Sequence, residues 1–167
     1  MIISTMVCTE QLAHIDQQSL GAGSNSDLTP WYPETFSSFR MRPSNSVIGI
    51  AADGRDDFCV GYCAYGMTRR RIQICRIAVM PQFRRRGFAT NLLMTMLVKM
   101  ERAVCRKLQA EIPETNYAAI KLFQGSGFLA VETSRYEGEE DRYLFQFERR
   151  PMLEPNNRIS KQLGGEA

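Results

Sequence analysis

I-A-V-M-P-Q-F-R-R-R-G-F-A-T, from Ile77 to Thr90, is the stretch of sequence that decides the fold. It begins as a strand that Pro81 stops, continues through a basic loop and ends in the first turn of a helix. A helix start gathers unpaired amide donors and the positive end of the helix dipole, so it favours an anion. Gly87 and Ala89 leave room for a pyrophosphate against the backbone, and the triplet Arg84 to Arg86 adds charge. Taken alone, the pattern equally fits a basic turn before an ordinary helix.

The residues on either side of this loop favour a strand before it and a helix after it. Apolar residues follow it at intervals of three and four, as in a helix with one buried face: Leu92, Leu93, Met96, Leu97, Met100 and Val104. Before the loop, short apolar runs rich in isoleucine and valine are typical of strands.

The rest of the chain divides into short elements. We predict strands over residues 2–7, 47–52, 58–67, 72–79, 108–112, 128–134 and 143–147, and helices over residues 9–20, 34–40 and 117–124. A turn at Asp53 and Gly54 joins two of these strands, and residues 47–79 form an antiparallel meander. The strand-helix-strand passage over residues 77–112 requires a parallel crossover.

Length and composition indicate one soluble domain. The chain has 167 residues, of which 44 % are apolar and 23 % charged, which is the composition of an ordinary globular protein. We expect one domain over residues 1–148 and a flexible tail over residues 149–167. No signal peptide or apolar span of membrane length is apparent, so we expect no contact with a membrane.

Charge and cysteine content narrow the function further. A net charge of +3 is too small to indicate a nucleic-acid protein, and no aromatic residue is interleaved with the triplets Arg69 to Arg71 and Arg84 to Arg86. The five cysteines form no C-x-x-C pair and no set with the single histidine, His14. We therefore predict reduced core cysteines, no metal and a cytoplasmic location.

A second block extends the pattern. Residues 111–128 read E-I-P-E-T-N-Y-A-A-I-K-L-F-Q-G-S-G-F, similar to the E-x-x-x-x-N-x-x-A-I-x-L-Y-x-x-x-G-F block of the GNAT acetyltransferases. Together with R-x-x-G-x-A at residues 84–89, this block identifies the chain as resembling that superfamily. Within it, the P-W segment at Pro30, the I-A-V strand at Ile77 and the Y-x-x-G-x-x-D turn at Tyr136 most resemble the ribosomal-protein alanine N-acetyltransferases and related N-terminal acetyltransferases.

The resemblance implies a fold and a donor. The fold is of the α/β (mixed α+β) kind, with a central, mostly antiparallel sheet of about seven strands, a parallel pair at the cleft and about four helices. The donor is acetyl-CoA, with CoA as product. The residues implied in its binding are Ile77, Ala78, Val79, Arg84, Arg85, Arg86, Gly87, Phe88, Ala89, Thr90, Asn116 and Phe123. Val79 N–H would face the thioester oxygen, the loop amides would hold the pyrophosphate, and Asn116 would bond the pantetheine.

The resemblance also implies an acceptor and its chemistry. A primary amine, most simply a protein or peptide N-terminal α-amine, would attack the thioester directly. Such an amine has a pKa of about 7.7–8.0, so Glu111 needs to give little help as a base. Trp31, Tyr32 and Tyr136 would line the acceptor entrance, although a core role fits Trp31 and Tyr32 equally well. The acidic run from Glu137 to Asp141 could attract a cationic acceptor or be a solvated turn.

The chain departs from the family at Phe123, where a tyrosine usually protonates the departing thiolate. Phenylalanine has no proton to give, so Tyr136, Tyr117, Tyr143 or a water would have to act as the acid. Two alternatives therefore stay open beside N-terminal acetylation. One is a small-molecule amine acetyltransferase, and the other is a CoA-binding protein with weak or lost catalysis. Either a monomer or a homodimer fits the sequence.

Overall fold

The computed structural model describes residues 2–4, 7–21, 29–52, 58–135 and 140–149. Within these residues the chain forms seven strands, four helices and one short 3-10 turn, Pro81–Phe83. In chain order the elements are β1 (Ile2–Ser4), α1 (Thr9–Gly21), α2 (Pro33–Arg40), β2 (Asn45–Ala51), β3 (Cys59–Met67), β4 (Arg71–Val79), α3 (Phe88–Arg102), β5 (Lys107–Pro113), α4 (Tyr117–Gly125), β6 (Leu129–Ser134) and β7 (Arg142–Glu148).

All seven strands belong to one sheet in the order β1-β2-β3-β4-β5-β7-β6. The first four strands pair antiparallel in chain order, which confirms the predicted meander. The pair β4 and β5 is parallel, which confirms the crossover through α3. Strand β7 lies between β5 and β6 and runs antiparallel to both. The fold class predicted from the sequence is therefore correct.

Helices cover the two faces of the sheet and divide the core. Leu92, Leu93, Met96 and Met100 of α3 pack with the strands on one face. On the other face, α1 and α2 form a second cluster whose centre includes Leu12, Ile15, Phe36 and Tyr62. Both clusters are built on the meander strands, and α3 also contacts β5, so its cluster extends further across the sheet.

Two core predictions need correction. Val104 was predicted on the buried stripe of α3, but the helix ends at Arg102 and Val104 is 74 % exposed, with a left-handed φ of 55°. Cysteine burial was also overstated, because Cys8 and Cys75 are exposed while Cys59, Cys63 and Cys105 are buried. Val104 and Cys8 flank the ends of helices and Cys75 is an irregular position within β4, and at such places apolar neighbours in sequence do not fix which way a side chain points.

Some predictions fall on residues that are not described. These are the turn at Asp53 and Gly54, Tyr136 and nearly all of the predicted tail. The first strand is described over Ile2–Ser4, and Val7, which was predicted to end it, lies outside a strand. Among the described helices, none has the length and apolar content needed to cross a bilayer.

Candidate active site

Strands β4 and β5 part in the middle of the sheet and leave a gap. They are paired from Arg71 with Lys107 to Ile74 with Ala110, and no pair is formed beyond that point. Further along, β4 remains paired only with β3, and β5 only with β7. Each strand therefore has one backbone edge without a strand neighbour, and the two edges face each other across the gap.

A bulge in β4 coincides with the parting. The register with β3 pairs Tyr65 with Ile74 and Ala64 with Arg76, so Cys75 is an extra residue on β4. A bulge bends a strand and increases its local twist. Because Cys75 directly follows the last residue paired with β5, the bulge turns the end of β4 away from β5.

The end of β4 presents amide groups to the gap. The Met80 N–H donates to the Val60 carbonyl of β3 at 2.9 Å. Amides alternate in direction along a strand, so those of Val79 and Ile77 point the other way, towards the gap. Ala78 and Val79 are each 8 % exposed, and Ile77 is half-buried.

The loop between β4 and α3 gathers donors. Arg85 and Gly87 both have left-handed backbone conformations, with φ of 61° and 82°. No amide from Arg85 to Thr90 has a hydrogen-bond acceptor among the described residues. Gly87 is the N-cap of α3 and has no side chain to satisfy them. Six consecutive amides without acceptors therefore lie at the positive end of a 15-residue helix, an arrangement that favours an anion.

The three arginines of the loop differ in their contacts. The Arg84 guanidinium donates to the carbonyl oxygens of Val79, at 3.2 Å, and Ser19, at 2.6 Å. Ser19 lies in the last turn of α1, where carbonyls lack helical partners and a cation is favoured. Arg86 lies over the Phe83 ring at 5.6 Å. Arg84 therefore joins the loop to α1.

Glu111 lies on the opposite edge of the gap. It follows Ala110, the last β5 residue paired with β4, and it sits opposite Leu144 of β7. Its side chain is exposed while Ile112 and Pro113 beside it are buried. The gap thus has outward amides on one strand and a solvated carboxylate on the other, with the anion site at the end of β4.

This combination of parted strands and an amide-lined helix start agrees with the comparisons. The acetyltransferase (GNAT) family profile matches residues 10–128, well over half of the chain. The chain belongs to the GNAT family. No curated protein matches it.

Solved GNAT structures have the same fold at low sequence identity. The ribosomal-protein-S18-alanine N-acetyltransferase of Escherichia coli is 21 % identical, with a TM-score of 0.72 over 88 % of this chain and 92 % of that one. The PaiA N-acetyltransferase of Thermoplasma acidophilum, solved with coenzyme A, is 12 % identical, with a TM-score of 0.75 over 89 % and 98 %. Arabidopsis thaliana NAA60, solved with a bisubstrate analogue, is 16 % identical, with a TM-score of 0.68 over 88 % and 97 %.

Two GNAT motif residues have structural contacts of their own. Asn116 is the N-cap of α4, and its side-chain oxygen accepts the Ala119 N–H at 3.1 Å. Phe123 is 1 % exposed, with its ring centroid 4.9 Å from that of Phe128 and 6.2 Å from that of Phe145. Any ligand contact of either residue would therefore add to a role in the fold.

The alternative tyrosines are placed differently. Tyr117 is 71 % exposed at the first residue of α4, and Tyr143 is half-buried opposite Ile112 of β5. Tyr136, predicted as the acid and as an acceptor contact, lies outside the described residues. The described part of this GNAT protein also contains no group of three histidine, cysteine, aspartate or glutamate residues suited to a metal.

A buried polar network that sequence reasoning missed lies beside β4. The Asp16 carboxylate, 1 % exposed, accepts hydrogen bonds from the Tyr62 hydroxyl at 2.5 Å, Arg76 Nε at 2.9 Å and the Trp31 N–H at 2.7 Å. Arg76 also donates to the Thr29 carbonyl at 2.9 Å. Burial, and secondly the Asp16 charge, raise the pKa of Tyr62 well above its usual value, so its hydroxyl remains a donor.

One signal in the sequence could have found this network. Leu12, Ile15, Asp16 and Ser19 have the spacing of a single helical stripe. The three residues of this stripe other than Asp16 are apolar or small, as is typical of a buried face. An aspartate on such a stripe is buried and must find partners. Those partners come from distant strands, so the sequence alone did not name them.

The network fixes the segment before α2. Trp31 is half-buried, with its ring centroid 5.2 Å from those of Phe36 and Phe39 and 5.3 Å from the Arg76 guanidinium carbon. Trp31 therefore has the packing role that the sequence left open for it, whereas Tyr32 is 53 % exposed. Because Arg76 lies on β4 beside Ile77, this aromatic segment is tied to the strand that borders the gap.

Proposed function

We propose that this GNAT protein is an acetyl-CoA-dependent N-acetyltransferase that acts on the N-terminal α-amine of a protein or peptide. The observation that carries the proposal is the gap between β4 and β5, with outward amides at Ile77 and Val79 on one edge and Glu111 on the other. The solved structures with the same fold include an enzyme named as a ribosomal-protein alanine N-acetyltransferase, which favours this acceptor class.

The residues around the gap suit acetyl-CoA. The six free amides from Arg85 to Thr90, with the charges of the arginine triplet, would hold the pyrophosphate. The edge of β4 from Ile77 to Val79 would pair with the amides of the pantetheine arm, as a strand pairs with an added strand. Bound acetyl-CoA supplies an acetyl group already activated as a thioester.

Two groups would then serve the transfer. The Val79 N–H would donate to the carbonyl oxygen on which negative charge develops during attack. Glu111, directly or through a water, would take a proton from the incoming amine. An α-amine with a pKa of about 7.7–8.0 loses its proton far more readily than a lysine at about 10.4, so an exposed and solvated carboxylate is sufficient.

The acceptor would enter between the aromatic segment and the turn before β7. Asp16 and Arg76 fix the backbone at Thr29 and Trp31, which leaves the exposed ring of Tyr32 to contact a peptide. On the other side, Glu140 accepts a hydrogen bond from the Thr115 hydroxyl and Asp141 pairs with Arg135 at 3.3 Å. We propose that Tyr136, four residues before Glu140, contacts the acceptor and acts as the acid.

A second candidate function is favoured by Phe123. A missing general acid would slow transfer by roughly a hundred- to ten-thousand-fold, although a thiol of pKa about 8.5 is a tolerable leaving group near neutral pH. The chain would then bind CoA with weak or lost catalysis. Phe123→Tyr separates the two candidates, because an enzyme limited by thiolate protonation gains turnover. A CoA-binding protein without catalysis binds CoA tightly and remains inactive with tyrosine.

Two further features complete the proposal. Burial raises the pKa of the Cys59 and Cys63 thiols, so neither suits an acyl-enzyme intermediate and the amine would attack directly. Unpaired thiols such as these suit the cytoplasm.

The experiment is an acceptor panel read by mass spectrometry. Acetyl-CoA is supplied with peptides bearing free α-amines, the same peptides with the α-amine blocked but lysines free, and polyamines or aminoglycosides. We expect acetylation of the free α-amines with stoichiometric CoA release. Product only with the small amines would favour the small-molecule alternative, and the absence of product with every amine would overturn the proposal.

A further inference from the structure

The end of the sheet opposite the gap carries a concentrated positive charge. Arg71 and Lys107 are the first residues of the parallel strands β4 and β5 and are paired with each other. With Arg69, Arg70 and Arg106 they line a depression of about 1000 Å³, which we name the basic pocket. Val79 lies eight residues beyond Arg71 on β4, about 26 Å of strand, so the basic pocket is separate from the end of the gap at Val79.

The charges of the basic pocket have no acidic partners. None of its five cations forms an ion pair with a described residue. The nearest acidic residue in register is Glu148, opposite Lys107, and its carboxylate accepts a hydrogen bond from Gln146 at 3.1 Å. Five unpaired cations in one depression exceed the +3 net charge of the whole chain. A bound anion would relieve the mutual repulsion of these charges.

The backbone around the basic pocket is held by hydrogen bonds. The Thr68 hydroxyl donates to the Arg71 carbonyl and accepts the Arg71 N–H, each at 3.2 Å, which closes the turn between β3 and β4. The Arg106 N–H donates to the Arg70 carbonyl at 3.1 Å, and the Arg149 N–H to the Arg106 carbonyl at 3.0 Å. The arginines therefore stand on three connected segments, and the fold keeps their like charges together.

We infer that the basic pocket binds a compact ligand carrying several phosphate groups, at a site separate from the acetyl-CoA cleft. Arginine presents a planar fork of donors that matches phosphate oxygens, and several forks converging on one depression suit a chain of linked phosphates. The volume is that of a small-molecule site. The triplet Arg69 to Arg71, which the proposed acetyl transfer does not use, thereby acquires a role.

Other occupants fit the basic pocket less well. No aromatic side chain lines it, so the stacking that single-stranded nucleic acid uses is absent among the described lining residues. A duplex needs charge spread along a surface, whereas these cations converge. The segment over residues 150–167, which follows the pocket in the chain, has three basic and two acidic residues and thus no excess of negative charge to offer.

Calorimetric titration with inorganic tripolyphosphate tests this inference. The protein is titrated with and without saturating CoA, because CoA would fill the anion site at the loop before α3 if the proposed function is right. We expect saturable binding that CoA leaves unchanged. Binding that CoA abolishes would place the tripolyphosphate at that loop and overturn the inference, whereas failure of CoA to bind would count only against the proposed function.

Two charge-matched variants locate the binding. Arg70→Gln with Arg106→Gln removes two cations of the basic pocket, and we expect at least about a tenfold loss of affinity because charge-assisted hydrogen bonds are lost. Lys121→Gln with Arg135→Gln removes the same charge from exposed positions elsewhere, of which Arg135 pairs with Asp141 at 3.3 Å. We expect less than about a threefold change in tripolyphosphate affinity. Circular dichroism checks that both variants are folded.

Three results would overturn the inference. The first is equal affinity in the two double variants, and the second is no binding by the wild-type protein. The third is a duplex RNA that binds more tightly with increasing length, loses affinity in the Arg70 and Arg106 variant and is not displaced by tripolyphosphate. That result would assign the basic pocket to nucleic acid.

Discussion

Single side chains on the edges of the gap carry the proposed chemistry, and the proposed role of Glu111 can be tested directly by substitution. We predict that Glu111→Gln lowers kcat by about a hundred- to ten-thousand-fold, because the amide cannot accept the proton of the acceptor amine. The KM for acetyl-CoA should change little, since the donor is bound by backbone groups. Steady-state CoA release, measured against acetyl-CoA concentration at saturating peptide, gives both constants.

Glu101→Gln provides the control for this prediction. Glu101 is also an exposed glutamate, but it lies in the last turn of α3, away from the gap. The control should keep wild-type rates. A Glu111→Gln enzyme with unchanged kcat would remove Glu111 from the mechanism and leave deprotonation to solvent.

Motif residues were easier to predict than their partners. Gly87 was predicted correctly at the start of α3, because its small size and its place before an amphipathic helix are both local signals. The hydrogen bonds of Arg84 to Val79 and Ser19 were not predicted, since one of them joins residues 65 positions apart. Local sequence fixes where a donor stands, and tertiary packing decides what it reaches.

The ends of α3 supply two tests on the scale of an element. At its C-terminal end, Val104 adopts φ 55°, its N–H donates to the Glu101 carbonyl, and the Cys105 N–H donates to the Met100 carbonyl at 3.1 Å. This Schellman arrangement favours glycine at the left-handed residue, and a β-branched residue there is strained.

We predict that Val104→Gly raises the free energy of unfolding by about 1 kcal/mol. Val104 is 74 % exposed, so little apolar burial is lost. Val98→Gly is the matched control, because Val98 lies inside α3 and is 46 % exposed. It should lose stability by up to about 1 kcal/mol. Urea denaturation measures both, and a destabilised Val104→Gly protein would contradict the assigned helix end.

At the N-terminal end of α3, we predict that Gly87→Ala is destabilising by about 1–2 kcal/mol, because φ of 82° strains any residue with a Cβ. The nearest atom to an added Cβ is Asn91 Nδ2 at 3.8 Å, so the cost is conformational and not steric. If the amides beside it hold the pyrophosphate, CoA affinity should also fall.

Gly125→Ala is the control for this effect. An added Cβ at Gly125 meets no atom within 4 Å. Gly125 is the last residue of α4, and its φ is not left-handed. This variant should be neutral or slightly stabilised and should bind CoA normally. Equal stabilities of the two alanine variants in thermal denaturation would contradict the strained turn at Gly87.

Tyr62 connects two layers of the molecule, because its hydroxyl on β3 donates a hydrogen bond to Asp16 of α1. We predict that Tyr62→Phe costs about 1–3 kcal/mol at pH 7, because a buried carboxylate loses a donor. Because the pKa of Tyr62 is raised in the folded protein, its contribution to the free energy of unfolding is complete below the unfolded-state pKa of 10.0. That contribution is lost as the pH rises above this value. The difference in the free energy of unfolding between the wild-type protein and Tyr62→Phe should therefore narrow between pH 9 and pH 11.

Chemical denaturation of both proteins across this pH range measures the effect. Buried thiols also lower the free energy of unfolding at alkaline pH, but they do so equally in both proteins, so this effect cancels when the two are compared. A difference that widens above pH 10 would mean that Tyr62 is not held as a neutral donor, and the network would have to be redrawn.

At this scale the sequence predicts the architecture well and the site in part. The order of elements, the meander and the parallel crossover follow from periodicity and from the handedness of connections, as β4, α3 and β5 illustrate. The parting of β4 from β5 depends on a bulge at Cys75, which leaves no mark on the hydrophobic pattern. Nor does composition reveal that Arg71 and Arg106 converge, because only strand pairing brings them together.

The central claim is that the gap beyond Ile74 and Ala110 receives acetyl-CoA. A crystal structure of the protein with CoA tests it most directly. We predict the pyrophosphate on the amides from Arg85 to Thr90, the pantetheine along the outward edge of Ile77 to Val79, and the sulfur between Val79 and Glu111. CoA bound at any other surface, with the gap empty, would contradict the account.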